Sequence, residues 1–549
     1  MRATILALAL AIPALAADSV DLAVVNRIKA EAFERSKVME HLQNLTDLYG
    51  PRLTASPEFK EAADWAVQRL KDYGLENVHL EKWGPFGRSW SLEKFALEMT
   101  SPRYSLMAAA PLAWSASTNG PVTGEPIFAP LATNPAINRS EANLEQYIQK
   151  YKGKLRGKIV LISEPLRNIA DVESKPELRR YTDAELEALA IAPAPAPKVK
   201  IDPANLVVPE DLEERLRFNA SLLPDVQDEL RRRREEMTIK RNRFFLDEGV
   251  LAVIEDDRRA RDSMTFAEAA GSQDVKNPLW APTFVVTSEH YNRIVRLVEN
   301  KTKVGMQVNL KARVSDGAAD PYNLIGEIPG GSKRDEIVMV GAHFDSWHMG
   351  TGATDNAAGS SVMMEVMRIL KALDLKMDRT VRIALWSGEE QGLLGSKAYV
   401  REHFGDPKTM KLTAAHAKFS GYFNLDNGSG KIRGVYLQGN DAMRPLFEQW
   451  LEPFRDLGVS TITIRNTSGT DHLSLDAVGL PGFQFVQDPL DYSTVTHHSN
   501  MDVYDHAIAG DLMQAAAVIA SVVYDAATRP EMLPRKPLPK AQETNAATK

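Results

Sequence analysis

Acids and imidazoles recur in this chain directly behind short apolar runs. Ile337 to Val340 leads into Gly341-Ala342-His343-Phe344-Asp345, with Thr354-Asp355-Asn356 following in a stretch of very small residues. Val381 to Trp386 leads into Ser387-Gly388-Glu389-Glu390, the run FSGYFNLD ends in Asp426, and the apolar segment 482–486 precedes His497-His498. In a partly desolvated cleft, carboxylates repel one another and raise each other's pKa values, and a divalent cation removes that penalty. Nitrogen and oxygen donors of this kind suit zinc, with cobalt or manganese as substitutes. Each element also has an ordinary reading: a hydrogen-bonded structural His343, a helix N-cap at Asp355-Asn356, solvated loop acids at Glu389-Glu390. All of these would have to hold at once. The stretch GTGATDNAAGS lacks the G-x-x-x-x-G-K-[ST] pattern of a phosphate cradle, and NGSGKI at 427–432 fails it because Ile432 follows Lys431. Its small residues are expected to let backbone pass close to a metal centre.

Such groups need elements that deliver them to one edge. After Asn323 the pattern alternates: IVMVGAH, then SSVMMEVMRILKAL with helical period, then VRIALWS, then FSGYFNLDN. Short runs buried on both faces and separated by helices predict an α/β fold, a mostly parallel mixed sheet flanked by helices, with ligands at the carboxyl ends of its strands. Upstream, Ala63, Val67, Leu70 and Tyr73 keep helical spacing with Gly74 as a C-cap, and a strand is expected around residues 78–80. Residues 120–314 read as a separate β-rich insertion, with GKIVLI and GVLAVI as strands and a charged helical elaboration at about 165–247. The remaining segments, 17–119 and 315–528, form the catalytic unit, and 529–549, rich in Pro and Lys, is expected to be a disordered tail.

A length of 549 residues and 60.8 kDa exceeds what one core usually serves, which agrees with two folding units. Net charge of -7 and a pI near 6.0 give no general pull toward nucleic acid or anionic membrane. The basic run Arg231 to Arg234 is flanked by Asp228, Glu229, Glu235 and Glu236, the pattern of a solvated helix. With no cysteine, disulfides, thiolate zinc sites, a thiol nucleophile and lipoprotein acylation are excluded. The first 16 residues place Arg2 before an apolar run ending in Ala14-Leu15-Ala16, a cleaved export signal that implies a periplasmic or extracellular protein. That run contains Pro13 and is shorter than the roughly 20 residues of a membrane span. No later segment is long and apolar enough to form a stable span.

The order H-x-D, T-D-N-A-A-G, W-S-G-E-E-Q-G-L-L-G-S, N-L-D and H-H-S, between residues 343 and 498, resembles the M28 family of dinuclear zinc exopeptidases. The likeness is nearest to the carboxypeptidase Q branch and its secreted bacterial relatives, and extends to YGPRLTASPEF at 49–59. It implies a zinc-exopeptidase fold of the phosphorylase/hydrolase-like kind, with a protease-associated (PA) insertion at 120–314. It further implies two zinc ions bridged by Asp355, with His343 and Asp426 on one and Glu390 and His498 on the other. Glu389 would be the general acid/base, and Asp345 the group that orients His343. Side chains adjacent at a strand end point to different sides, so Glu390 can bind metal while Glu389 faces the reacting water.

In the family the ligand directly precedes Ser or Thr, which selects His498 and leaves His497 as a wall. Gly469-Thr470-Asp471-His472 resembles the family's S-D-H segment at the substrate pocket, which brings in Asp471 and His472. Some family aminopeptidases carry an oxyanion-assisting Tyr four residues before that Asp; here Thr467 stands there, and Tyr492 is the candidate.

The implied activity is hydrolysis of short peptides or dipeptides, and a homodimer is compatible with the branch. Two other readings fit the same fold. A non-catalytic binding protein would have lost ligands that this chain retains, and a glutaminyl-cyclase-like acyltransferase would hold a single zinc.

Overall fold

The computed structural model describes residues 20–166, 178–193, 206–209, 218, 222, 224–257, 259 and 262–541. The expected export signal lies outside these residues, as do part of the charged segment and the last residues of the tail. Among the described residues no helix is long and apolar enough to cross a membrane.

One eight-stranded sheet runs in the order Glu76–Lys82, Tyr322–Ile328, Arg379–Trp386, Lys333–His343, Phe419–Asn424, Gly482–Gln487, Ile432–Tyr436, Thr461–Thr463. Its middle strands, from Arg379–Trp386 to Gly482–Gln487, are mutually parallel, and antiparallel neighbours flank them. The register sets His343 beside Trp386 and Gly341 beside Asn424, so these strands finish at a common edge. Alternation along the strands explains why both faces are covered. Val338, Val340, Ala342, Val381, Ile383 and Phe423 pack toward the helices Ala358–Ala372 and Ala509–Thr528. Met339, Ala384, Trp386 and Tyr422 pack toward Tyr399, Phe404 and Leu475 on the other face. Each fully buried aliphatic side chain contributes roughly 1.5–3 kcal/mol, which makes this sheet a rigid platform for the polar residues at its strand ends. The helix Pro57–Asp72 starts with Pro57 in its first turn and Ser56 Oγ accepting from Phe59 N at 3.1 Å, and the strand Glu76–Lys82 comes after it as expected.

A second eight-stranded sheet has the order Ser105–Leu106, Trp90–Ser101, Gly305–Val314, Val122–Phe128, Lys158–Leu161, Ala252–Asp256, Thr283–Val286, Ala109–Pro111. It takes strands from well before residue 120, where the sequence pattern puts the start of the insertion. The strand Trp90–Ser101 buries Leu97 and Met99 while Glu93, Lys94 and Glu98 face outward, and that charged face hides its membership. Helices Ile137–Tyr151, Pro224–Glu248 and Ser288–Glu299 accompany the sheet. On Pro224–Glu248, Arg232 pairs with Glu229 and Glu236, and Arg233 with Glu141. These carboxylates offset the charge of Arg232 and Arg233, the first along the helix and the second across to Ile137–Tyr151.

The tail departs from expectation. Leu533 is 2% exposed and occupies the space that a side chain at Gly421 would need, and Arg535 donates to the carbonyls of His416 and Phe419. One apolar anchor and these hydrogen bonds are enough to order the described residues beyond Arg529, which composition alone does not reveal.

Candidate metal centre

The common edge gathers the residues singled out in the sequence. His343, the last residue of its strand, is 1% exposed in its side chain, and its Nε2 lies 3.1 Å from Asp355 Oδ1 and 3.3 Å from Asp426 Oδ1. His498 Nε2 lies 3.0 Å from Glu390 Oε2 and 3.3 Å from Asp355 Oδ2. Asp355 thus presents one oxygen to each histidine. His497 stacks on His498 at 3.8 Å between ring centroids and stands farther from Asp355 Oδ2, at 3.8 Å. Tyr492 packs edge-on against His497 at 4.9 Å.

The segment after His343 is shaped by backbone crossings. A side chain at Gly350 would strike the carbonyls of Ser499 and Asp502, and one at Gly359 the carbonyl of Leu425. Small residues are therefore required by these crossings, and Gly350 and Gly352 also line the cavity beside Asp355, Glu390 and His498. Asn356 Oδ1 accepts from Gly359 N at 2.9 Å in the first turn of Ala358–Ala372, so Asn356 performs the capping and Asp355 is left to face the cluster. Asp502 accepts from Thr354 N at 2.6 Å, Thr354 Oγ1 at 2.8 Å and Asp355 N at 3.1 Å, which fixes the Asp355 backbone. Burial pushes the Asp502 carboxyl up to about 7, with the Asp355 charge adding to the shift.

Residues from the amino-terminal segment complete the support. Arg52, fully buried, donates to the carbonyls of Phe344, Leu45, Thr351 and Gly352. Thr54 Oγ1 donates to Asp345 Oδ2 at 2.7 Å and accepts from Gly388 N at 2.9 Å, tying the His343 strand to the turn that carries Glu389 and Glu390. The expected orienting role of Asp345 is shared between its groups. His343 Nδ1 lies 3.0 Å from the Asp345 main-chain carbonyl and 3.6 Å from its carboxylate.

Sequence reasoning flags the 49–59 stretch without assigning roles to Arg52 and Thr54, and it misses Asp502, Trp347 and Glu268. Trp347 packs edge-on on His498 at 6.0 Å, and Glu268 Oε1 lies 2.8 Å from His498 Nδ1. Asp502 carries a signal in its position four residues past His498; Glu268 has none, because its place depends on how two distant segments dock.

Burial and mutual repulsion dominate the electrostatics of the cluster. Burial, reinforced by Asp426, Asp471 and Glu390, holds the Glu389 carboxyl well above the usual range, although His343 opposes it. Glu390 is pushed up to about 8 by burial and by Asp355. Asp471, fully buried within electrostatic reach of His343 and Asp426, is pushed up to about 7, mainly by burial. Its neighbour His472, also buried, is pushed down to about 4. Burial disfavours charge on His343 and His498, yet Asp426 and Glu389 around the first, and Glu390, Asp355 and Glu268 around the second, hold both well above the usual imidazole value.

These groups fit a bound cation. A carbonyl oxygen can only accept, so His343 Nδ1 carries its proton toward Asp345, and in the neutral ring the lone pair of Nε2 faces carboxylate oxygens. Glu390 Oε1 is buried without a hydrogen-bond donor among the described residues. Tetrahedral zinc at about 2.0–2.1 Å from N and O ligands sets those ligand atoms about 3.3 Å apart, close to the spacings observed around both imidazoles.

Comparison with known proteins gives the class. Residues 323–523 match the profile of peptidase family M28, which takes in His343, Asp355, Glu389, Glu390, Asp426 and His498. Over this segment the chain is similar to M28 peptidases, and with the relatives that follow this makes it a metallopeptidase, a hydrolase. It is 25% identical to mouse (Mus musculus) carboxypeptidase Q over 518 residues, covering 94% of this chain and 90% of that one. It is 29% identical to aminopeptidase YwaD of Bacillus subtilis over 211 residues, or 37% of this chain and 44% of that one. Among solved structures, an M28 peptidase precursor from Shewanella amazonensis shares the fold with a TM-score of 0.63 at 23% identity, covering 94% of this chain and 98% of that one. A zinc aminopeptidase from Bacillus subtilis does so with a TM-score of 0.54 at 18% identity, covering 90% and 94%.

Proposed function

We propose that this chain is an exported zinc exopeptidase that hydrolyses short peptides or dipeptides and holds two zinc ions, for which cobalt or manganese can substitute. The observation that carries the reading is the division of Asp355, whose Oδ1 faces His343 and whose Oδ2 faces His498. In this reading His343, Asp426 and Asp355 would hold one ion, and Glu390, His498 and Asp355 the other. Bound there, zinc would act as a Lewis acid toward a water and the scissile carbonyl.

The rest of the chemistry falls to the protein. Glu389 accepts the proton of the attacking water as its oxygen bonds to the carbonyl carbon, and delivers it to the amine as the C–N bond breaks. A carboxyl group held above the ordinary range by burial is suited to hold that proton between the two steps. Asp345 keeps His343 oriented, and Tyr492, whose phenol burial and the carboxylates of Asp355 and Asp426 keep protonated, is available to donate to the oxyanion. His497, partly exposed, is assigned to the substrate-side wall, and Asp471 and His472, both fully buried, to its support. The similarity to a carboxypeptidase and to aminopeptidases supports action at a chain end.

Elemental analysis of the purified mature protein tests the metal count, and two zinc equivalents per chain are expected. A panel of blocked and free dipeptides, amides and anilides then sorts the activity. Cleavage of anilides indicates an aminopeptidase, and cleavage of unblocked dipeptides alone indicates a dipeptidase. No metal bound and no turnover with added zinc or cobalt would sink the proposal.

A further inference from the structure

His498 occupies an unusual position for a ligand. Its backbone is left-handed, with φ of 63°, a conformation uncommon outside glycine that its surroundings hold in place. Those surroundings come from the second sheet's side of the molecule. The connection between the strands Ala252–Asp256 and Thr283–Val286 runs alongside residues 498–500, with an antiparallel bridge between Phe266 and Ser499. Ala267 N donates to the His498 carbonyl at 3.1 Å, Asn500 N donates to the Thr265 carbonyl at 3.0 Å, and Thr265 N donates to Asn500 Oδ1 at 2.7 Å. From the same connection Glu268 reaches the imidazole, with Oε1 2.8 Å from Nδ1. His343 has no such dependence, since its Nδ1 is held by a carbonyl two residues along its own chain.

We propose that Glu268 is a positioning residue contributed by the inserted domain, which fixes the tautomer and ring orientation of His498 and thereby sets the affinity of one of the two metal positions. The carboxylate acts as a hydrogen-bond acceptor: with the proton on Nδ1, the Nε2 lone pair is directed toward Glu390 and Asp355. The Glu268 side chain is 52% exposed, so solvent weakens its charge, and its hydrogen bond to Nδ1 is the main lever. The inserted domain is in this way part of the metal centre.

The inference rests on the two-ion reading, and one experiment separates their failures. Zinc dissociation constants are measured by chelator competition on the full mature protein for wild type, Glu268→Ala and Glu268→Gln, together with the melting temperature of each metal-free form. Expected for Glu268→Ala is a weakening of one ion by about 10- to 100-fold, the scale of outer-shell partners of metal-bound histidine, with the other ion within twofold and metal-free melting unchanged. Glu268→Gln keeps a carbonyl acceptor and is expected to recover most of the lost affinity. Wild-type affinity for both ions in Glu268→Ala, parallel loss of both affinities and of metal-free stability, or no recovery in Glu268→Gln would each overturn the role. A wild-type protein that binds fewer than two ions overturns the two-ion reading instead, and the wild-type titration reports that by itself.

Discussion

The two halves of the centre are built differently. His343 and Asp426 stand at or just beyond the ends of adjacent parallel strands, and the His343 side chain is 1% exposed. His498 sits on a loop well past its strand, with a left-handed backbone and 16% side-chain exposure, steadied by residues of a different sheet's connection. The first half inherits its precision from a close-packed sheet, where a misplaced side chain would disturb both core faces. The second has to obtain precision from specific hydrogen bonds. Asp355 joins them, and its own backbone is held by Asp502.

Substitution at the junction gives the largest expected effect. Asp355→Asn removes the charge that faces both halves, and on the two-ion proposal metal content is expected to fall from two equivalents to one or none, with turnover lost at ambient zinc. Elemental analysis beside a peptide assay reads both. Retention of two ions and full activity would dissolve the comparison, because neither half would then depend on Asp355. Glu389→Gln comes next, with metal content kept and kcat lower by about 10²- to 10⁴-fold, the usual scale of one acid/base group. Equal kcat in that variant would remove Glu389 from the chemistry.

The same division governs what the sequence discloses. Residues at strand ends are legible because periodicity locates the strand and the next polar residue must lie at its edge; His343, Glu389, Glu390 and Asp426 are all found this way. The choice between His497 and His498 rests on resemblance, since a loop of that length has no period, and the shorter contacts of His498 come from its docking. Glu268 is invisible for the same reason. The strand Trp90–Ser101 is hidden by its charged outer face, and Leu533 by the Pro- and Lys-rich composition around it.

Leu533 gives a way to load the first half alone. It lies over Gly421 on the strand that leads to Asp426. Leu533→Ala opens a cavity there and is expected to lower unfolding free energy by about 2–5 kcal/mol, measured by urea denaturation of the metal-free protein. The zinc affinity of the His498 side should stay within twofold. A loss at both positions would mean that the halves are mechanically one unit.

The smallest expected effect concerns the seam between the sheets. His348, in the segment that links His343 to Asp355, donates from Nε2 to the Pro111 carbonyl at 2.8 Å and packs on Trp90, so it joins the first half to the second sheet. Burial pushes its pKa down to about 4, so the folded protein keeps it neutral. The unfolded chain takes up a proton near pH 6.5, and stability from this group is therefore complete above that pH and is lost as pH falls toward 4. At pH 5 the loss amounts to about 2 kcal/mol. His348→Gln keeps a donor for Pro111 without a titrating group, and its denaturation midpoint should fall less between pH 7 and pH 5 than that of wild type. Identical slopes would show that the seam is indifferent to this proton, and that the second sheet reaches the metal centre through the His498 loop.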